Sequence, residues 1–291
     1  MHAIASDTLK VCISGQGAEL QHIICQHNGL EVLWSGLSNY WSRRAPVLFP
    51  VVGRLKNNQF RYNNTWYTLM QHGFARDLKF TLEHLQTHQA MFQLKSSSAT
   101  RALYPFEFTF QIQYTLNQSI LHTEYRVINT GDSDMLFSVG AHPAFNCPLI
   151  PNTNQEEYYI NFYKNSVTRS LLNEGLLTSK KQALILNRQK LFLNSNLFIQ
   201  DALVFENQQI QKLSIGYQNT DLITVFCEHW PYFGIWSKPQ APFLCLEHWY
   251  GITDLQESTQ NLQSKRGIIR LPAAQTFTAG FHLDFQGIAQ I

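Results

Sequence analysis

The chain has 291 residues and a formal net charge of +2, and 44% of its residues are hydrophobic against 14% charged. Such a composition can bury a large core and differs from that of a disordered chain. Because the net charge is small and no stretch clusters Lys and Arg, phosphate neutralisation on a nucleic acid is excluded as a function.

Short strands separated by Asn, Gly, Pro or Asp account for most of the predicted structure. No long amphipathic helical pattern competes with them. In chain order the predicted strands cover residues 9–14, 19–25, 31–34, 59–62, 65–69, 79–85, 90–96, 106–116, 120–128, 158–162, 202–206, 212–217, 222–227, 233–237, 243–247 and 276–284.

The clearest periodic signal is the run 106–116, where apolar and polar residues alternate. Alternation at every second position predicts a strand with one buried face. The run 120–128 follows after Asn117-Gln118-Ser119 and is rich in β-branched residues, so the two runs predict a β-hairpin.

Many short strands without intervening helices predict an all-β fold, a large antiparallel sandwich or barrel, because parallel strands require crossover connections. We find no internal repeat or linker, and we expect one domain over residues 1–291. The stretches 151–157 and 171–196 are predicted to be loop insertions with a helical turn.

The five cysteines favour a reducing compartment. They are odd in number and show no CxxC spacing, as is typical of free thiols. The first residues do not form a signal peptide, and no apolar run approaches ~18 residues. The sequence therefore predicts a cytoplasmic protein that neither crosses nor binds a membrane.

Three segments place a titratable side chain at a predicted strand end beside Gly or Pro, where a rigid sheet presents side chains to a cleft. His142 belongs to the second of them, and Pro143 biases its backbone toward an extended conformation. A histidine titrates near neutrality and can act as acid or base, although it can equally be structural. The segments are 71–77, 140–146 and 246–251.

Glu247 ends an apolar predicted strand, where a buried carboxylate is costly without a partner or purpose. One interpretation is a general base whose pKa is raised by the apolar surroundings; the other is a solvated edge residue or an ion pair with Arg. His72 is either a turn residue or a donor to a substrate oxygen. Arg76 either pairs with Asp77 or binds substrate.

Other kinds of site are less well supported. The histidines show neither HxH nor HExxH spacing, no GxSxG segment is present, and Gly15-Gln16-Gly17 lacks the third glycine of a dinucleotide-binding loop. We therefore expect no metal, nicotinamide or flavin cofactor. Aromatic residues near the three segments, such as Trp41 and Trp236, belong either to the core or to a surface that stacks on a sugar.

Taken in order, several segments resemble the aldose 1-epimerase (mutarotase) family, most closely its bacterial LacX-type branch. The succession at family-like spacing is more specific than any single segment. The segments are 13–20, 45–54, 72–76, 141–146 and 246–249.

The resemblance implies a large antiparallel β-sandwich with an open sugar-binding cleft and an acid–base reaction on a hexose that needs no cofactor. It implies that His142 protonates the ring oxygen and that Glu247 takes the anomeric hydroxyl proton. His72, Arg54 and Asp201 would contact the sugar.

A phosphorylated sugar is the alternative substrate. The segment 72–76 and the pair Arg43-Arg44 are also similar to the hexose-6-phosphate mutarotase branch, where arginines hold a phosphate. On that interpretation Arg44 and Arg76 bind the phosphate. A carbohydrate-binding or sensing protein without turnover is a further alternative.

Overall fold

A computed structural model describes residues 1–290; the last position of the predicted domain, residue 291, lies outside the described residues. Strands β1–β8 are His2–Ala5, Leu9–Ile13, Leu20–Cys25, Val47–Leu48, Gln59–Tyr62, Thr65–Thr68, Thr81–Gln86 and Gln89–Lys95. Strands β9–β16 are Phe108–Asn117, Ile120–Asn129, Met135–Phe137, Val139–Ala141, Ala144–Asn146, Tyr158–Asn161, Ser166–Asn173 and Leu176–Ile185. Strands β17–β24 are Lys190–Phe192, Leu203–Phe205, Lys212–Tyr217, Thr220–Phe226, Tyr232–Trp236, Phe243–Tyr250, Ile269–Leu271 and Thr276–Asp284.

Helical structure is sparse. Helix α1 is Ser98–Leu103, and the remaining helical segments are 3₁₀ turns. Within residues 1–290, no helix has the length and apolarity needed to cross a membrane. The 3₁₀ turns are Lys56–Asn58, Ala75–Asp77, Gln155–Glu157, Leu262–Ser264 and Gln286–Gln290.

Two large antiparallel sheets form the body of the described chain. Over residues 1–290, nine strands make one sheet in the order β17-β14-β19-β20-β24-β10-β9-β8-β7. The other has the order β16-β15-β18-β21-β22-β12-β4, with β13 also paired to β22. Smaller sheets are β1-β2-β3, β11-β23 and β5-β6. The predicted all-β antiparallel sandwich is confirmed.

The hairpin β9–β10 shows why these residues form strands. Its apolar residues alternate with polar ones, and in β9 the side chains of Phe110 and Ile112 are fully buried. Those side chains face the second sheet: the ring of Phe110 lies 4.7 Å from that of Phe49. Between β22 and β24, the ring of His248 lies 3.8 Å from that of Phe281. The two sheets therefore share one apolar interior.

Two predictions about individual segments are wrong. Residues 171–196 are not a loop insertion, because β15 and β16 form a hairpin there and β17 follows. Strand β16 lies at the sheet edge and most of its residues are exposed, so it lacks the alternation by which strands are recognised. Residues 31–34 form only the isolated bridges Ile24–Glu31 and Leu33–Phe145 rather than a strand.

The prediction of free thiols is confirmed for all five cysteines. Cys12 is partly exposed, and the other four are buried. Of the buried four, Cys245 lies on β22, the strand that forms the floor of a cleft in the second sheet.

Candidate active site

Strand β22 supplies a carboxylate to this cleft. Side chains alternate across a strand, so Leu246 and His248 face the interior between the sheets, and Glu247 faces the opposite side. Only 2% of Glu247 is exposed. The carboxylate therefore lies at the bottom of the cleft rather than on an exposed edge.

The strand register places His142 opposite Glu247. His142 lies in the short connection between β12 and β13, and both of these strands pair with β22 in one antiparallel register. His142 Nε2 is 3.3 Å from Glu247 Oε1. The pairs on either side of it are Gly140 with Trp249 and Ala144 with Cys245.

Burial controls the protonation of this pair. It lowers the pKa of His142 to about 3, with a further lowering by the charge of Arg76. It raises the pKa of Glu247 well above its usual range; the Trp249 indole opposes that rise and the charge of Asp201 adds to it. Since burial disfavours the charged form of each residue, we expect the pair to hold one proton at neutral pH.

Aromatic rings form the wall beside His142. The ring of Trp41 is stacked on the imidazole at 4.9 Å, and the ring of Trp236 meets it edge-on at 5.9 Å. Trp249 forms another part of the lining. Its indole packs against Gly234, where any side chain would clash, because a Cβ there would lie 2.3 Å from the indole. Flat apolar surfaces of this kind stack well on the carbon face of a sugar ring.

His72 presents a fixed hydrogen-bond donor. The backbone N–H of Gly53 donates to His72 Nδ1 at 3.1 Å, so the neutral ring carries its proton on Nε2. Burial, followed by the charges of His142 and Arg76, lowers the pKa of His72 well below its usual value and keeps it neutral. The amide of Gln71 lies 3.2 Å from Nε2 and must present its oxygen there.

Arg54 lies at the mouth of the cleft and is held by the β15–β16 turn. Its Nη1 donates to the carbonyl of Glu174 at 2.9 Å. Thr253 links the backbone at Arg54 to the backbone of the β15–β16 turn. Its hydroxyl accepts from the Arg54 N–H at 3.0 Å and donates to the Gly175 carbonyl at 2.6 Å. Glu174 and Gly175 both have positive φ, as the tight turn requires.

Arg76 lies in the 3₁₀ turn after His72 and lines the same cleft. Its Nη2 donates to the Gln71 carbonyl at 2.7 Å, and its Nε is 3.7 Å from Asp77 Oδ2. Burial and then the charge of Arg43 lower the pKa of Arg76 to about 10. Arg43 itself forms an ion pair with Asp77 at 2.8 Å.

Arg44 does not contribute to the cleft. Its Nη1 donates to the Gln21 carbonyl at 2.6 Å, and its side chain packs against Gly36. Asp201, by contrast, lines the cleft with φ of 83°, and its Oδ1 accepts from the N–H of Ala202 at 2.7 Å. Of the predicted ligands, Arg44 alone lies elsewhere.

The cleft has a volume of about 430 Å³, which is enough for a small sugar. It brings together the six residues predicted for the site from five separate parts of the chain. These residues are Arg54, His72, Arg76, His142, Asp201 and Glu247.

Sequence analysis did not single out several other residues of the cleft. Thr253, Gln71 and Glu174 line it, but an isolated Thr, Gln or Glu in a loop carries no recognisable pattern. Cys245 lies just below the lining: ligand atoms of His142, Cys245 and Glu247 all fall within 4.8 Å of one another. This is a set of nitrogen, sulfur and oxygen atoms that can hold a metal ion.

One family of known proteins matches most of the chain. The family model for aldose 1-epimerase matches residues 2–265. Protein LacX of Lactococcus lactis subsp. lactis, in its chromosomal form, is 30% identical over 256 residues, which are 84% of this chain and 86% of that protein. The plasmid form of LacX gives the same values.

Solved structures of similar proteins share the sandwich. A galactose mutarotase related enzyme from Lactobacillus acidophilus superposes with a TM-score of 0.93 at 34% identity, covering 98% of this chain and 97% of the other. A galactose mutarotase-like protein from Lactobacillus casei ATCC 334 gives a TM-score of 0.89 at 28% identity, covering 98% and 99%.

Proposed function

Because the chain belongs to the aldose 1-epimerase family, we propose that it interconverts the α and β anomers of a hexose by acid–base opening and reclosure of the ring. The single observation that carries the proposal is the buried pair His142–Glu247, with Nε2 and Oε1 3.3 Å apart at the floor of a sugar-sized cleft.

The reaction needs an acid and a base close together. The anomeric hydroxyl and the ring oxygen are bonded to the same carbon, so the two groups that serve them must be neighbours. Glu247 takes the proton of the anomeric hydroxyl while His142 protonates the ring oxygen, and the bond between the ring oxygen and the anomeric carbon breaks. After rotation of the open aldehyde, the reverse transfers close the other anomer.

The protonation of the pair suits such an exchange. Ring opening moves one proton onto Glu247 and removes one from His142, so the pair keeps its total of one proton. Because burial opposes a charge on either residue, the resting pair carries its proton on Glu247, and that proton passes to His142 Nε2, 3.3 Å away, before the ring opens. Reclosure then needs only the return of the same protons.

The remaining predicted residues orient the sugar in this proposal. His72 donates from Nε2 to an oxygen near the ring, and its tautomer is fixed by the Gly53 N–H. Arg54 and Asp201 bind hydroxyl groups of the sugar. Trp41 and Trp236 exclude water from the imidazole.

Paired substitutions test the assignment. We expect His142→Asn and Glu247→Gln each to lower the rate of anomer exchange by about 10²–10⁴-fold, the usual range for a proton-transfer group. The rate is measured by polarimetry or by NMR on α-glucose and α-galactose. Activity close to that of the wild type in either variant would refute the assignment.

A matched control is available in the half-buried ion pair His22–Glu31, whose Nδ1 and Oε2 are 2.6 Å apart. His22→Asn and Glu31→Gln are chemically the same changes. We expect both control variants to keep the wild-type rate, since neither residue lines the cleft. A comparable loss in the controls would mean that the site variants act through folding.

A hexose 6-phosphate is the second candidate substrate, and one observation favours it. Within the described residues, the buried Nε of Arg76 has no hydrogen-bond partner although the residue lines the cleft. Arg43 lies close enough to add positive charge there. A phosphate would accept a hydrogen bond from this Nε and add to the negative charge that Asp77 already supplies to the two arginines.

Rates for glucose, galactose and their 6-phosphates decide between these substrates. A preference for phosphates of more than about tenfold that Arg76→Gln abolishes would support the phosphosugar. Equal rates for free sugars and their phosphates would exclude it. Sugar binding without any acceleration of anomer exchange between about pH 5 and 8 would instead identify a binding or sensing protein.

A further inference from the structure

We propose that the floor of the cleft is also a binding site for one thiophilic divalent cation, Zn²⁺ or Cd²⁺, held by His142, Cys245 and Glu247. The cation would occupy both groups assigned to proton transfer and inhibit the enzyme. That inhibition rests on the proposed function, whereas binding of the cation does not.

The distances fit tetrahedral coordination. With metal bonds of about 2.0–2.2 Å, a nitrogen and an oxygen ligand of Zn²⁺ lie about 3.4 Å apart. His142 Nε2 and Glu247 Oε1 are 3.3 Å apart. A sulfur ligand lies about 3.6 Å from the other two. All three ligand atoms fall within 4.8 Å of one another, and rotation of the Cys245 side chain would bring its sulfur to the distance that coordination requires.

Burial makes this group unlike a chance surface cluster. His142 is 7% exposed, Glu247 2% and Cys245 0%. His142 Nε2 and Glu247 Oε1 already face each other across 3.3 Å at this buried position.

Charge balance and ligand type select the cation. Binding of the cation releases the protons of the Cys245 thiol and the Glu247 carboxyl group, and the resulting thiolate and carboxylate neutralise the divalent ion, so the complex adds no net charge to a buried site. Thiolate and imidazole favour Zn²⁺ and Cd²⁺ over Mg²⁺ and Ca²⁺, which prefer oxygen ligands. The cation enters from the cleft, and its fourth position faces the cleft and takes water or a sugar hydroxyl.

Titration with Cd²⁺ tests binding directly, because a cadmium–thiolate bond gives an ultraviolet charge-transfer absorption. We expect one Cd²⁺ per chain for the wild type, displaced by Zn²⁺ and not by Mg²⁺. Cys245→Ser should lower the affinity by more than about tenfold, since removal of a direct ligand costs more than a change in a supporting residue. Cys12→Ser, at the partly exposed cysteine, is the matched control and should bind as the wild type does.

The fold of Cys245→Ser is checked by its thermal unfolding in the absence of metal, and Cys245→Ala replaces it if it does not fold. A wild type that shows no charge-transfer absorption, or a Cys245 variant that keeps it, would overturn the proposal. Inhibition of anomer exchange by Zn²⁺ is measured separately. If the protein proves inactive on sugars, the Cd²⁺ titration still decides whether the site exists.

Discussion

His248 is the neighbour of Glu247 in sequence, but it is buried in the opposite direction, and its replacement by phenylalanine gives a quantitative test of the structure. Its imidazole is fully buried, 3.8 Å from the ring of Phe281 and 4.7 Å from that of Trp230. Within residues 1–290, neither ring nitrogen has a hydrogen-bond partner. Burial lowers the pKa of His248 to about 3.

The consequence is a loss of stability in acid. In the unfolded chain the residue titrates near its ordinary pKa of about 6.5, so between pH 6.5 and 3 the unfolded state binds a proton that the folded state does not. The contribution of His248 is therefore fully present above pH 6.5 and is lost as the pH falls. Between pH 7 and pH 5 this loss amounts to about 2 kcal/mol of the free energy of unfolding.

His248→Phe removes this contribution. We expect the free energy of unfolding of the variant to fall by about 2 kcal/mol less between pH 7 and pH 5 than that of the wild type. Guanidinium unfolding at both pH values measures it. The cost of fitting a larger ring appears at both pH values and cancels in the difference.

The exposed His27 provides the control, because His27→Gln changes a residue that has no burial cost to relieve. This variant should follow the wild type at both pH values. If His248→Phe kept the full acid sensitivity of the wild type, His248 would be charged or hydrated in the folded protein, and the reasoning from burial would be refuted.

Three further predictions concern the surroundings of the cleft. Asp254→Asn leaves the buried ammonium of Lys265, now 2.8 Å from Asp254 Oδ1, without its counter-ion, so denaturant unfolding should show a loss of about 3–5 kcal/mol; a loss below about 1 kcal/mol would contradict this. Gly53→Ala brings a Cβ to 2.5 Å from that of Thr253 at a φ of +73°, so both the melting temperature and sugar affinity should fall, and a variant that keeps both would show that the backbone adapts. The rate of anomer exchange, followed by polarimetry, should show no acid limb near pH 6.5, because burial lowers the pKa of His142 to about 3; an acid limb near pH 6.5 would show an ordinary histidine instead.

Much of the fold is predictable from local patterns. The hairpin of β9 and β10 was expected, because apolar side chains alternate along β9 and one face of the sheet must be buried. Strand β16 was not, because six of its ten residues are exposed and no buried face imposes a pattern on the sequence. Residues 32–34 are apolar, which favoured a strand over 31–34, but the segment is held only by isolated bridges.

The candidate site shows a similar division. Motifs and spacing predicted six site residues, and the fold gathers all six in one cleft. They did not predict which of Arg43 and Arg44 lies nearer the cleft, because the directions of two adjacent loop side chains depend on partners that are distant in sequence. The Arg44 side chain donates a hydrogen bond to the Gln21 carbonyl, and the Arg43 side chain forms an ion pair with Asp77.

By itself, the sequence determined that Glu247 and His248 face opposite sides of their strand, because side chains alternate at every residue. It did not determine which of the two faces the cleft. The tertiary structure decided this, since the second sheet packs over His248 through Phe281 and leaves the other face of β22 open. The same structure set the distance between His142 and Glu247, because the register of β12 and β13 against β22 joins residues more than a hundred positions apart.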